Sequence, residues 1–415
     1  MANKKNIKIL TELLDLEGVT VVSHRLHSGL GMILQTESKR MHSICPNCGN
    51  KSHKLHQNHR HIVKDLPFGD KPIFLEINRR QFKCSKCRKP FSEDLDFVKK
   101  KRTYTNRLAH KIIQEVLDSD IHSVASKGIV TTDEIKRMLK DASEENLNSK
   151  PSELKRLGID EIALVKGKGN YCAVLIDLDT SKLITILSGR TQEILRETFM
   201  ESGLDVLAQI EEVSIDLWQG YKNLVTELMP NAQVVADRFH VMTQINKELD
   251  IARKKEKRKI EELINKTKLP SEKANYEKIL SGLKNSKYPL LKNEDSLNEE
   301  QALKLIEVKS VSPVIKEMHE LKEKIIKIFN RTNDWYTAVF KIGMWLSIAK
   351  KYFPKSNNTI IRWLDEIIGY FDNRTTSGVV EGINNKLKLI KRSGYGFRNF
   401  ENFRVRCLLN WHFIY

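Results

Sequence analysis

Cysteines and long apolar runs are scarce in this sequence, and acidic residues are outnumbered. It has 6 cysteines in 415 residues, too few for a scaffold of that size held by disulfides. No run approaches the roughly 20 apolar residues that span a bilayer. Glu12, Asp15 and Glu17 interrupt the stretch near the start that could have formed an apolar signal segment. We therefore expect a cytoplasmic protein with neither a membrane span nor a secretory signal.

Basic residues outnumber acidic ones by 71 to 53, which gives a formal net charge of +18. A soluble protein this basic typically binds a polyanion, and nucleic acid fits better than a membrane surface. At roughly 100–200 residues per domain, a chain of this length has two to four domains. Composition therefore predicts a multidomain protein that binds nucleic acid.

Four of the cysteines form two close Cys-x-x-Cys pairs, Cys45/Cys48 and Cys84/Cys87. Two such pairs supply four thiolates, which is the tetrahedral ligand set of structural Zn²⁺. A redox Cys-x-x-Cys would be expected singly and in a βαβ context. We predict a zinc ribbon with all four cysteines as ligands.

The segment between the cysteine pairs is long enough for a β-hairpin. We predict its two strands at residues 73–77 and 80–83. The same segment is rich in basic residues and in histidines, namely His53, His56, His59 and His61. One histidine could replace a cysteine as a zinc ligand, but we favour a polar hairpin that faces DNA phosphates.

A group of three short helices is predicted after the ribbon. Apolar spacing predicts helices at residues 106–117 and 121–126, and Thr131 and Thr132 suit the cap of a third. The basic residues of the third helix are Lys136, Arg137 and Lys140. A short turn followed by a basic helix is typical of helix-turn-helix proteins that enter the DNA major groove. The alternative is a helical spacer without DNA contacts.

The spacing of apolar residues changes near residue 157 from one typical of helices to one typical of strands. We predict three antiparallel strands followed by helix, strand, helix and strand, with the strands at 157–165, 171–178, 183–187, 213–216 and 233–236. That order is typical of the ribonuclease-H-like fold. It would place Asp160, in the first strand, close to Asp216, at the end of the fourth. Carboxylates held together favour a bound cation, so we predict Mg²⁺ there.

A pair of metal ions needs a third acid, and the candidate is Glu381. A helix over residues 377–392 would carry apolar residues on one face and polar residues on another; the polar set is Glu381, Asn385, Lys388 and Arg392. Alone, this segment fits an ordinary amphipathic helix. Together with the two aspartates it suits a nuclease site, where Lys388, Lys391 and Arg392 would hold DNA phosphates.

These motifs resemble bacterial insertion-sequence transposases of the ISL-three family over nearly the whole chain. The matching blocks are the cysteine ribbon, the helix-turn-helix and residues 158–161, 214–221, 235–240 and 380–386. The resemblance implies a DDE recombinase with the triad Asp160, Asp216 and Glu381 and two Mg²⁺ or Mn²⁺ ions. It also implies cleavage at the ends of the element, followed by attack of the freed 3′-OH on target DNA. Asp237 and His240 lie in a family block.

We expect Asp237, His240 and Asn385 to contact and orient the metal ligands. Asp237 and His240 are also alternatives to Asp216 as metal ligands. The predicted partner is double-stranded DNA, both element ends and target, in the bacterial nucleoid. Because a recombinase must join two ends, we expect a homodimer. A catalytically silent DNA-binding regulator derived from a transposase is the main alternative. A general ribonuclease-H-like nuclease fits less well, since it would not need two DNA-binding modules.

The predicted fold is a multidomain α+β and α/β chain. Its divisions are 1–98, the N-terminal region with the zinc ribbon; 99–145, the helix-turn-helix; 152–240 with 365–415, the catalytic core; and 241–364, an all-helical insertion.

Overall fold

The computed structural model describes residues 4–146, 153–163, 171–374, 377–397 and 399–413. The chain forms two compact units. The first unit comprises residues 1–148 and 390–415, and the second comprises residues 149–389.

The first unit opens with helix α1 (Lys4–Leu14) and a mainly antiparallel sheet. Its strands are β1 (Val19–His27), β2 (Gly31–Ser38), β3 (Ser43–Ile44), β4 (Lys51–Ser52), β5 (Leu55–Phe68), β6 (Lys71–Lys83) and β7 (Pro90–Ser92). The main sheet has the order β1-β2-β6-β5 with β7 beside β6, while β3 and β4 pair separately. Strands β2 and β6 run parallel. Leu34, Val63 and Leu75 are fully buried in its core.

The predicted hairpin of residues 73–77 and 80–83 is wrong, because both segments belong to the single strand β6. Its antiparallel partner is β5, and the turn between them holds Gly69 with a φ of 61°. Asn78 and Arg79, between the two predicted strands, are polar and suggest a turn. They continue the strand because this stretch of β6 pairs with equally polar residues, Asn58 opposite Arg80 and His59 opposite Arg79.

Three helices follow, α2 (Asn106–Asp118), α3 (Ile121–Ala125) and α4 (Thr132–Asn146), which confirms the three predicted helices. Thr131 caps α4, since its hydroxyl accepts a hydrogen bond from the Glu134 N–H at 3.2 Å and its own N–H donates to the Glu134 carboxylate at 2.8 Å. The apolar faces of α2 and α4 meet around Ile112 and Ile135.

A C-terminal helix (Phe400–His412) completes the first unit. Leu409 joins the core formed by α2 and α4, and the buried Arg406 donates to the Ser119 carbonyl just after α2. The sequence predicts residues 365–415 together as part of the catalytic core, whereas residues 390–415 group with the first unit. The apolar face of this helix was visible in the sequence, but the surface it packs against was not.

The second unit contains a five-stranded sheet. Its strands are β8 (Arg156–Ala163), β9 (Tyr171–Asp177), β10 (Lys182–Ile186), β11 (Glu212–Ile215) and β12 (Gln233–Ala236). The order is β10-β9-β8-β11-β12; the first three strands along the chain are antiparallel, while β8, β11 and β12 run parallel. All five predicted strands are present, although residues 164 and 165 of the first lie outside the described residues.

Helices make up the rest of the second unit. Those between the strands are α5 (Gln192–Ser202), α6 (Leu204–Leu207) and α7 (Gln219–Leu228). Those after β12 are α8 (Arg238–Lys266), α9 (Pro270–Leu283), α10 (Lys287–Leu291), α11 (Glu299–Val311), α12 (Pro313–Arg331), α13 (Trp335–Ala349), α14 (Pro354–Arg362), α15 (Leu364–Asn373) and α16 (Ser377–Ser393), with a short 3-10 turn at Glu294–Ser296. The described residues from 241 to 364 therefore contain helices and no strand. The last four residues of α16 group with the first unit.

The helical region has a closely packed interior. Trp345 of α13 is fully buried, and its indole N–H donates to the Leu321 carbonyl of α12 at 2.8 Å. Lys322 is also fully buried, and its ammonium donates to the carbonyls of Leu290 and Lys292 at 2.9 and 2.7 Å. Buried polar groups with partners of this kind hold the helices in one arrangement.

Candidate metal centres

The four cysteines lie together in the first unit. Sγ of Cys45 is 3.6 Å from Sγ of Cys87, and Sγ of Cys48 is 3.5 Å from Sγ of Cys84. Zn–S bonds of about 2.3 Å place tetrahedral thiolates about 3.8 Å apart, so this set fits Zn²⁺. Among the described residues the group contains cysteines alone, and His53, His56 and His59 are exposed outside it.

The two cysteine pairs share one backbone design. The N–H of Gly49 donates to the Cys45 carbonyl at 2.9 Å, and the N–H of Arg88 donates to the Cys84 carbonyl at 3.1 Å. Gly49 and Arg88 both have a left-handed φ, of 69° and 61°. The N–H of Cys87 donates to Sγ of Cys84 and lowers the pKa of that thiol to about 6. Each turn thus directs its thiolates toward the same point.

In the second unit, strand register brings the two predicted aspartates together. Ile159 of β8 pairs with Ile215 of β11 in a parallel ladder, and Asp160 and Asp216 are the next residues along each strand. Ile215 also pairs with Ala236 of β12, so Asp237 follows at the matching place. The parallel register therefore places Asp160, inside β8, level with Asp216 and Asp237, which directly follow β11 and β12.

His240 lies among these acids because α8 begins directly after β12. The Asp237 side chain caps α8 by accepting from the Phe239 N–H at 2.8 Å, which places His240 in the first turn. Nε2 of His240 is 2.7 Å from Oδ1 of Asp216 and 3.7 Å from Oδ1 of Asp160. Among the described residues, Asp160, Asp216 and His240 form a group whose ligand atoms lie within 4.8 Å of one another.

Charge at this edge is balanced by the histidine. Burial lowers the pKa of His240, but the carboxylates of Asp160 and Asp216 outweigh that effect and raise it to about 10. The pKa of Asp216 is raised to about 6, mainly by burial and then by the charge of Asp160, while His240 works in the opposite direction. His240 is therefore protonated near neutral pH and neutralises part of the acidic cluster.

Both carboxylate oxygens of Asp160 have donors. The N–H of Glu161 donates to Oδ1 at 2.7 Å, and the side-chain amide of Asn384, on α16, donates to Oδ2. Glu161 is itself held, because it accepts from the Tyr221 hydroxyl at 3.1 Å and from Arg190 at 2.7 Å. The position of Asp160 is thus determined by two elements besides its own strand.

Comparison with protein families matches both the part of the chain with the four cysteines and the part with the acidic cluster. A family model described as a transposase, of the DDE type and the ISL3 family, matches residues 157–407. This chain belongs to the ISL3 family of DDE transposases. A second model, the zinc-finger of the transposases IS204, IS1001, IS1096 and IS1165, matches residues 42–87. The family resemblance inferred from sequence is confirmed.

Two curated relatives carry the same description. The transposase of insertion sequence IS1001 from Bordetella parapertussis is 26% identical over 91% of this chain and 90% of its own length. The transposase of IS1557 from Mycobacterium tuberculosis is 29% identical over 59% of this chain and 57% of its own length. The protein is a DNA transposase with a structural zinc ribbon and a DDE domain that uses divalent metal.

The acidic edge of this transposase fits a divalent cation. Its donors are carboxylate oxygens, the ligand type that Mg²⁺ and Mn²⁺ prefer. The two carboxylates carry two negative charges and the protonated His240 carries one positive charge, so a net negative charge remains for a cation to neutralise. The chemistry of the donor set is therefore that of a metal-dependent transposase.

The third predicted acid of the transposase lies apart from this group. Glu381 is exposed on α16, three residues before Asn384, and it does not belong to the set of ligand atoms within 4.8 Å. Asn385, predicted to support the ligands, is exposed, whereas its neighbour Asn384 is buried and contacts Asp160. Helical spacing in the sequence could have predicted this, because Asn384 is four residues after Val380 and therefore lies on the same buried face of the helix.

The predicted DNA-binding cations of the transposase lie on two helices. Lys136, Arg137 and Lys140 are exposed on α4, in the first unit. Lys388 and Arg392 are exposed on α16, and Lys391 is half-buried. Within the described part of the chain, no helix has the length and apolar character needed to cross a membrane.

Proposed function

We propose that this transposase cleaves and joins DNA at a two-Mg²⁺ site formed by Asp160, Asp216 and Glu381 in a ribonuclease-H-like core. The sheet supports this fold assignment, since three antiparallel strands are followed by two parallel strands added beside the first. The observation that carries the proposal is the pairing of Ile159 with Ile215, which brings Asp160, inside β8, beside Asp216, just after the end of β11.

Residues around Asp160 and Asp216 hold the two carboxylates in fixed orientations. Asn384 and the Glu161 N–H fix the carboxylate of Asp160, and His240 holds the carboxylate of Asp216. When bound, two divalent ions supply a more acidic water and stabilise the charge on the reacting phosphate. Asp237 supports the site indirectly, because it caps the helix that carries His240. Such supporting contacts decide how well ligands are oriented.

Glu381 completes the proposed triad through its place on α16. Residues three apart on a helix lie on neighbouring positions of its surface, so the contact of Asn384 with Asp160 brings the turn carrying Glu381 toward the acidic edge. Its exposure leaves its carboxylate accessible to a metal ion and to DNA. Lys388, Lys391 and Arg392, farther along α16, would neutralise phosphates of the bound strand.

The first unit would recognise the ends of the element. Helices α2, α3 and α4 have the order of a helix-turn-helix, and the exposed cations of α4 suit the major groove. With the zinc ribbon they form the DNA-binding part, residues 1–98 and 99–145 of the predicted organisation. We infer a homodimer on double-stranded DNA, acting on the nucleoid of a bacterial cytoplasm.

A cleavage assay tests this function. The purified full-length protein is incubated with DNA carrying the flanking ends of its own reading frame, with Mg²⁺ or with EDTA, and strand breaks are mapped to the nucleotide. Asp216→Asn and Glu381→Gln are compared with Asp365→Asn, which changes an exposed acid on the neighbouring helix α15. We expect Mg²⁺-dependent 3′-OH ends at the element boundaries from the parent and from Asp365→Asn.

Three other results of this assay would each lead to a different conclusion. Specific binding of the ends without cleavage under any divalent metal would contradict catalysis and leave a DNA-binding regulator. Cleavage without preference for the ends would indicate a general nuclease. Full activity of Glu381→Gln, with loss in Asp216→Asn, would remove Glu381 from the triad.

A further inference from the structure

Helix α13 is apolar on both of its sides. One side is buried in the helical region and carries Ala338, Ile342, Trp345 and Ala349. The other side, here called the α13 face, is exposed and carries Trp335, Tyr336, Val339, Phe340, Met344 and Ile348. Tyr336 is 74% exposed and Phe340 is 68% exposed. A helix that is apolar all round is normally buried all round, so the α13 face needs a partner.

The α13 face lacks the cations with which a protein surface holds DNA phosphates. Within residues 335–349 the sequence has one charged residue, Lys341. Lys341 is half-buried, and its ammonium lies 3.3 Å from the Thr332 hydroxyl. A surface that binds DNA neutralises phosphates with cations, and the exposed side chains of this face are apolar or uncharged.

The middle of the α13 face has a glycine. Gly343 lies there, and a Cβ added to it would meet nothing within 4 Å. Apolar side chains stand on both sides of it, Phe340 toward the N-terminus and Met344 toward the C-terminus. A helix that crosses at Gly343 can approach closely, since no side chain separates the two backbones, and the flanking groups then pack against it.

We propose that the α13 face is the contact between two copies of this chain in the transposase dimer. The inference rests on the proposed function, which requires two copies to join two ends. Counting a fully exposed large side chain at about 200 Å², the face presents roughly 600 Å² per copy. A stable interface buries about 800 Å² per partner, so two such faces with their rims reach the size of a dimer contact.

A second copy suits this face better than an unrelated partner. A two-fold contact uses the same patch on both subunits, so the patch must be complementary to itself. An uncharged apolar face meets that condition, whereas most of the surface of a chain with a net charge of +18 would repel its own copy. A two-fold axis at Gly343 would place the aromatic half of one face against the aliphatic half of the other.

Sedimentation velocity on the full-length protein tests the proposal, with and without end DNA. The parent is compared with Phe340→Glu and with a matched control, Leu303→Glu, which changes a 69% exposed leucine on α11. We expect a dimer for the parent and for Leu303→Glu, and a dissociation constant at least tenfold weaker for Phe340→Glu. Circular dichroism checks that both variants are folded, as expected for exposed positions.

A crosslink gives a second readout. Gly343→Cys should form a disulfide between two copies under mild oxidation, while Ser310→Cys, exposed on α11, should not. A monomeric parent with and without DNA overturns the proposal. A dimer that survives Phe340→Glu also overturns it. Failure of the catalytic site is a separate result, because Asp216→Asn should dimerise like the parent even though it does not cleave.

Discussion

The side-chain amide of Asn384 donates a hydrogen bond to Oδ2 of Asp160, a residue 224 positions earlier in the chain. This contact ties α16 to β8, the first strand of the sheet in the second unit. It occupies one oxygen of Asp160 and leaves the other to the Glu161 N–H. The carboxylate orientation therefore depends on where α16 lies, and not on its own strand alone.

Replacing Asn384 by Ala should reduce strand cleavage about 10–100-fold, the usual cost of losing a group that orients a metal ligand. Asn385→Ala, at the exposed neighbouring position, should have a much smaller effect. Cleavage rates at saturating Mg²⁺, together with Mn²⁺ affinity, measure both variants. Equal losses in the two variants would contradict the role given to Asn384.

Metal affinity should depend on pH through Asp216. Its pKa of about 6, raised by burial and by Asp160, means that the carboxyl becomes protonated as the pH falls below that value. A protonated carboxyl is a poor ligand, so Mn²⁺ affinity should fall about tenfold per pH unit below about 6. Titration calorimetry between about pH 5 and 7.5 measures it.

Replacing His240 by Gln tests the cause of that pH dependence. The imidazolium lowers the pKa of Asp216, so its removal should move the midpoint of the pH dependence upward. A midpoint that moves downward, or that stays in place, would show that His240 does not set the ionisation of Asp216.

The zinc ribbon should hold one metal ion per chain. Cys48→Ser removes one of four ligands, and we expect loss of zinc together with weaker binding of end DNA. Asp216→Asn should keep its zinc, because the two metal centres use different residues. Elemental analysis and DNA titration test both variants; zinc retained at full occupancy in Cys48→Ser would contradict the four-cysteine site.

Stability of the first unit should depend on a buried ion pair. Asp65 is fully buried and accepts hydrogen bonds from the Thr105 hydroxyl at 2.7 Å and from Nε of Arg107 at 2.8 Å. Asp65→Ala leaves Arg107 without the carboxylate that it pairs with, and should lower the free energy of unfolding by about 3–5 kcal/mol. Hydrogen exchange of the α2 amides measures this loss locally.

Glu115→Ala is the matched control for Asp65→Ala in the same unit. Glu115 pairs with Lys127 at 2.7 Å, but the Lys127 side chain is 55% exposed. An ion pair that is screened by water contributes only about 0–1 kcal/mol to the free energy of unfolding. Similar losses in the two variants would show that burial of Asp65 is not what gives its ion pair strength.

Local patterns predicted most elements of the second unit. The strands around Asp160 and Asp216 and the helix carrying Glu381 lie where apolar spacing indicated them, because that spacing reports directly on which face is buried. The long strand β6 was missed, since its polar middle resembles a turn and only its partner β5 shows that pairing continues. The docking of the C-terminal helix on α2 and α4 was missed for a similar reason.

The sequence by itself predicted the family, the four cysteines as zinc ligands, the two aspartates as metal ligands and the order of helices and strands, because each of these predictions follows from residue type and spacing along the chain. Only the tertiary structure decided that His240 lies against Asp216, that Asn384 rather than Asn385 contacts Asp160, and that the α13 face is exposed. These facts depend on strand register and helix packing between residues far apart in the chain, which local patterns do not encode.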